Sequence, residues 1–163
     1  MAGLPQVFQT KVTQYDTVQR DPLGSIRFEG GKFYKYVQLK NTTNTVATDA
    51  TNGTLVVYQK AANSGYVNNL VSVDAAVDGD ATTPFGAGAV VGVGCPGVAG
   101  TTYYLWIVID GLVTLDTAVT TAAAGKGFTM SATNKTGTVG VAGSSYLGTS
   151  VNTTTLVVMG APF

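Results

Sequence analysis

Residues 27–41, RFEGGKFYKYVQLKN, place two glycines at the centre of an alternating run of apolar and polar side chains. A two-residue hairpin loop that matches the twist of its strands needs positive φ at both positions, which glycine adopts at no steric cost. Closing the loop at Gly30-Gly31 sets Glu29 opposite Lys32, Phe28 opposite Phe33 and Arg27 opposite Tyr34. In that register Ile26, Phe28, Phe33, Val37 and Leu39 share one face, with only Lys35 out of place, and Arg27, Glu29, Lys32, Tyr34, Tyr36, Gln38 and Lys40 share the other. A slip by one residue mixes the two sets. The pattern therefore predicts a hairpin with a core face and a polar-aromatic face.

Further strands follow from β-branched and aromatic runs bounded by turn residues. TLVVYQK at 54–60 comes after an Asn/Thr-rich loop, YVNNLVSVDAAV is a weaker candidate, and AVVGVG at 89–94 ends at Pro96. TTYYLWIVIDGLVTLDTAV at 101–119 is the strongest; Asp110-Gly111 within it is either a hairpin turn or a bulge in one long strand. GFTMSA and TGTVGVAG flank a turn at Asn134-Lys135, TTTLVVMGAPF supplies a last strand, and only AVTTAAAG suits a short helix. The expected class is all-β: a single β-sandwich or β-barrel-like domain over residues 25–163, preceded by an extended N-terminal arm over residues 1–24. An arm that cannot bury itself orders against something else.

Composition narrows the function. Of the 163 residues 45% are hydrophobic and only 11% charged, against about 25% charged in an average domain, so Thr, Ser, Asn and Gly carry solubility. Residues 1–60 hold seven Lys or Arg and four Asp or Glu, a balance of +3, and residues 61–163 hold two and five, a balance of −3. Opposite-sign halves suit self-association or a mixed protein surface better than a polyanion. No apolar run approaches the ~20 residues of a membrane-spanning helix, and the opening MAGLPQVFQTKVTQYD has neither the basic nor the apolar region of a signal peptide. The expectation is a chain that is not exported and not glycosylated at Asn41, Asn52, Asn134 or Asn152.

Reactive chemistry is sparse. The chain has no histidine, and its single cysteine, Cys95, reads as a small buried apolar residue. Gly92 to Gly97 matches G-x-G-x-x-G, but β-forming residues follow where the dinucleotide fingerprint needs a helix. Asp74, Asp78 and Asp80 lack the alternating spacing of a Ca²⁺ loop and read as a solvated acidic loop, and zinc lacks ligands altogether. No cofactor, metal or catalytic residue is expected. Tyr34, Tyr36 and their basic neighbours leave three readings open: an ordinary exposed sheet, a protein contact, or a single-stranded nucleic acid platform. Zero net charge argues against the last.

The order DPLGSIRFEGGKFYKYVQLKN, GTLVVY and GAGAVVGVGCPGVAGTTYYLWIVIDGLVTLDTA resembles the small head-decoration, or cement, proteins and related minor capsid proteins of tailed bacteriophages, over roughly residues 20–163. The resemblance implies a non-enzymatic β-rich virion protein on the outer surface of an icosahedral shell. Its partner is the major capsid protein, it forms a homo-oligomer, with a trimer favoured, and it contacts no nucleic acid or membrane. The candidate contact residues are Phe8, Tyr15 and Arg20 on the arm and Arg27, Tyr34 and Tyr36 on the hairpin. Deleting residues 2–20 is then expected to leave a folded domain that no longer sediments with capsids. The alternative class is an extracellular adhesin-like or pilin-like β domain, which the Thr/Asn/Gly richness also suits.

Overall fold

A computed structural model of the chain describes residues 7–42, 50–61, 65–79, 85–92, 94–96, 98–116, 124–131, 137–139, 147–152 and 155–158. They form strands β1 (Tyr15–Asp16), β2 (Ile26–Glu29), β3 (Lys32–Lys40), β4 (Leu55–Ala61), β5 (Gly65–Ser72), β6 (Gly86–Val90), β7 (Thr102–Thr114), β8 (Gly127–Met130), β9 (Gly137–Val139), β10 (Gly148–Ser150) and β11 (Thr155–Val158). The class is all-β and barrel-like. Strands β3, β5, β4, β6 and β7 pair in that order, and β7 pairs back onto β3, so five strands close a ring and only the β3–β5 contact is parallel. Closure gives each of these five strands a neighbour on both sides, and leaves β2, paired among the described strands only with β3, at the edge of the sheet.

The hairpin register is the one the glycine pair dictates: Glu29 faces Lys32, Phe28 faces Phe33 and Arg27 faces Tyr34. Gly30 and Gly31 take φ of 58° and 76°, the positive values that such a loop requires. Residues 102–114 form one strand rather than a hairpin. Opposite β3 the register steps from Phe33–Asp110 to Tyr34–Val108, a bulge that leaves Ile109 extra and bends the strand just before Gly111, whose φ is 124°. Past the bend, Gly111 to Thr114 pair with β11, which continues through β10 and β8 to β9. The bend thus lets one strand serve both the ring and this second sheet.

Several expectations shift. The strand expected at 89–94 lies at Gly86–Val90, and all five of its residues are buried. Small residues suit that place: a Cβ on Gly88 would sit 2.3 Å from the Val108 carbonyl oxygen, and one on Gly86 would press on Leu147 and Met130. Strands β1 and β10, of two and three residues, are too short to announce themselves by periodicity. The Asn134-Lys135 turn and most of the AVTTAAAG segment lie outside the described residues.

The core runs through the ring: Val37, Leu39, Val71, Leu105 and Ile107 are fully or nearly fully buried, as are Trp106 and Tyr36 on the opposite face of their strands. That both faces of β3 and β7 are buried has one cause, the N-terminal segment. Residues 7–24 are laid along the domain: Tyr15 and Asp16 pair with Leu105 and Tyr104 of β7, and Val12 joins the core.

Candidate interaction surface

The covered face is built from aromatic rings and closed by one polar cluster. Tyr34, Tyr36 and Gln38 of β3 stand opposite Val108, Trp106 and Tyr104 of β7. The Tyr36 ring centre lies 5.1 Å from that of Trp106, and the Phe8 ring meets Trp106 edge-on at 5.1 Å. Over these rings the Trp106 indole N–H donates to the Thr10 hydroxyl at 2.8 Å, and that hydroxyl donates to an Asp21 carboxylate oxygen at 2.6 Å. The other Asp21 oxygen accepts the Gln9 amide at 3.0 Å. Arg27 donates to the Thr10 carbonyl at 3.0 Å, lies 5.4 Å from the Phe8 ring centre and forms an ion pair with Glu29. Asp21 is buried, so its carboxylate depends on these donors.

Of the six candidate contact residues, the structure brings three together here. Phe8, Arg27 and Tyr36 belong to this clasp. Arg20 reaches it through its backbone amide, which donates to the Tyr36 hydroxyl at 3.3 Å, while its side chain stays half-exposed and lies 3.9 Å from Asp16. Tyr15 packs edge-on against Tyr103, away from the cluster. Tyr34 and Tyr36, at 6% and 1% exposure, have no free ring face, and burial raises both hydroxyl pKa values above 10. Stacking of bases needs open ring faces, so these two cannot act as that platform while the segment is in place.

The hairpin's expected core face is the exposed one at its tip. Phe28 is 64% and Phe33 43% exposed, with ring centres 4.9 Å apart, and Ile26 beside them is exposed as well. The strand outruns the core here; the alternation was right, but the layer below it ends. Because β3 and β5 run parallel and β7 antiparallel to β3, exposed Tyr66 near the start of β5 and exposed Leu112 past the bend lie at the same end of the ring. Phe28 and Phe33 touch, so at least this pair is more than the scattered singles of an ordinary surface.

Lys35, the residue out of place in the pattern, points into the ring. It is 3% exposed, and its ammonium donates to Asn68 Oδ1 at 2.6 Å and to the Tyr58 hydroxyl at 3.2 Å, 5.1 Å above that ring's centre. Desolvation lowers its pKa and raises that of Tyr58 to about 12. Asp74 and Asp78 are buried rather than solvated, a correction to the acidic-loop expectation. Asp78 accepts hydrogen bonds from the Thr42 amide at 2.9 Å, the Thr42 hydroxyl and the Ser72 hydroxyl at 2.6 Å, and Asp74 accepts the Val77 amide at 3.0 Å. Their oxygens fix the loop after β5 to residue 42. Asn41, a sequon residue, is likewise buried; its Oδ1 accepts the Val73 amide at 3.2 Å and lies 2.8 Å from the Ser72 hydroxyl oxygen. Asp80 lies outside the described residues.

Cys95 is buried and bridges Ala50 through its backbone, as a small apolar residue would. The described part of the glycine motif leads through a turn into β7, without the helix a dinucleotide site requires. Sequence reasoning missed Thr10, Asp21 and Trp106 as a unit, since nothing local pairs positions so far apart. It also missed Phe28 and Phe33 as surface residues, although their place beside the loop glycines, at the far end of a hairpin, was a signal. Comparison with protein-family models, with curated proteins and with solved structures returns no match.

Proposed function

We propose that the chain is a structural virion protein, a decoration protein that binds the outer surface of an icosahedral phage capsid and stabilises it by contact rather than by chemistry. The observation that carries this reading is the exposed apolar end of the ring, where Phe28, Phe33 and Ile26 of the hairpin and Leu112 of β7 all stand in solvent. At ~25 cal/mol per Å² such a surface gives each copy a modest affinity. Repetition over a shell turns modest contacts into a firm seam. The sequence resemblance to cement proteins supports the same reading and supplies the partner, the major capsid protein.

The clasp places the N-terminal segment differently from the arm of the initial expectation. Its described part spends its best anchors, Phe8 and Thr10, on its own domain, so the proposed shell contact moves to the ring's apolar end. The test is a Phe33→Ser/Leu112→Ser variant mixed with capsids lacking the protein. Both side chains are exposed, so the fold should persist while capsid occupancy drops at least about tenfold, the equivalent of 1.4 kcal/mol. Recovery of the native chain from a cell-surface fraction, and not from virions, would favour the adhesin-like class instead.

A further inference from the structure

Strand β2 ends the sheet order, so it has β3 on one side and no strand among the described residues on the other. Its backbone polarity follows from the register. Arg27 pairs with Tyr34 and Glu29 closes the loop with Lys32, and the Tyr36 amide donates to the Ser25 carbonyl at 2.9 Å, so the odd-numbered residues turn their peptide groups toward β3. Ile26 and Phe28 then turn theirs outward. Natural sheets shield such an edge with charges of one sign, proline or a bulge; this one carries one charge of each sign, Arg27 and Glu29, alternating with Ile26 and the 64%-exposed Phe28.

We infer that β2 pairs antiparallel with β2 of a second copy, about a twofold axis that passes beside Phe28. The inference rests on the proposed function and divides the apolar end: a second copy takes the β2 edge at Ile26 and Phe28, and Phe33 and Leu112 are left to the shell. Centring on Phe28 uses its outward amide and carbonyl twice, once in each direction. The same register sets Arg27 opposite Glu29 of the second copy and Glu29 opposite its Arg27, so opposite charges meet at both positions. Centring one residue earlier would set Arg27 against Arg27 and turn the paired peptide groups inward. On the other face, the Phe28 rings of the two copies meet, each beside its own Phe33, so that Phe33 and Leu112 of the pair stay open. A second copy fits this edge because the short stretch is complementary to itself. An isologous pair closes at two copies, in place of the trimer that the family resemblance favours.

The test is made in solution without capsids, so its outcome is independent of shell binding. Sedimentation of the full chain from about 10 µM to about 1 mM should show a monomer–dimer equilibrium, shifted at least about tenfold toward monomer by Phe28→Lys. Phe28→Cys offers a second readout, because paired residues in this register have Cα atoms about 5.5 Å apart, within disulfide reach. Under mild oxidation it should form a covalent dimer far faster than Val18→Cys, an exposed control on the N-terminal segment; native Cys95 is buried in both. A wild-type chain that stays monomeric throughout, a trimer, or equal cross-linking of the two cysteine variants would overturn the inference.

Discussion

The Trp106 indole N–H donates to the Thr10 hydroxyl at 2.8 Å, joining the N-terminal segment to the middle of β7 across 96 positions of chain. The same hydroxyl hands its own proton to Asp21, so one threonine satisfies a buried donor and a buried acceptor. Thr10→Val keeps the shape and removes both bonds. The expected loss is about 1–3 kcal/mol in urea unfolding, because the indole N–H and one Asp21 oxygen are left buried without these partners. Thr10→Ser should recover most of it.

Removal of residues 2–20 follows from the same contacts. The truncated chain would lose Phe8, Thr10 and Val12 and strip the cover from Tyr36 and Trp106, which are now almost fully buried. Its thermal midpoint should fall by about 5 °C or more, with a rise in binding of an apolar dye. An unchanged midpoint would mean that the segment contributes nothing to the fold. The outcome expected from sequence alone, an intact domain without its arm, is thereby replaced.

How much of this was legible in the sequence depends on whether the cause was local. The Gly30-Gly31 loop fixes the pairing of Phe28 with Phe33 because the turn and the alternation act within a few residues. Which face of that hairpin is wet depends on where a distant segment lies, and no periodicity in β3 encodes that Phe8 and Thr10 cover Trp106, against which Tyr36 packs. Lys35 was visible as a break in the pattern, but its partners Tyr58 and Asn68 come from two other strands. Asp78 read as solvated because its donors Thr42, 36 positions away just past the end of β3, and Ser72, at the end of β5, meet it only once β3 and β5 pair.

Opposed titrations inside the ring predict a shaped alkaline profile. Burial lowers the Lys35 pKa, so the folded chain carries the cost of a desolvated ammonium at neutral pH. Stability should rise as pH climbs from the folded pKa to the unfolded value of 10.5. Tyr58 acts with the other sign: its pKa is raised from 10.0 to about 12, so the unfolded chain ionises first and stability falls between those values. Lys35→Met should be more stable than wild type at pH 7 by about 1 kcal/mol or more and should lack the rise. Tyr58→Phe should reduce the fall. Thermal midpoints from pH 7 to 12 for the three chains check both signs.

Gly53 sits where the turn before β4 meets the end of β7, with φ of 87° and its carbonyl accepting the Asp116 amide at 3.2 Å. A Cβ there would stand 2.1 Å from the Thr114 carbonyl oxygen. Gly53→Ala is expected to cost about 1–3 kcal/mol from the backbone conformation alone, with the clash added. Gly125→Ala, also at positive φ but with open space around its Cβ, separates the two contributions. Equal midpoints for the two variants would show that the contact at Gly53 is relieved by movement.

Co-sedimentation of the purified chain with tailed-phage capsids stripped of their outer-surface proteins tests the proposed shell binding most directly. The account predicts saturable binding at a fixed number of copies per shell, on the outside, weakened by Phe33→Ser/Leu112→Ser. A chain that stays in the supernatant at every concentration, beside shells that bind their other components, would contradict it.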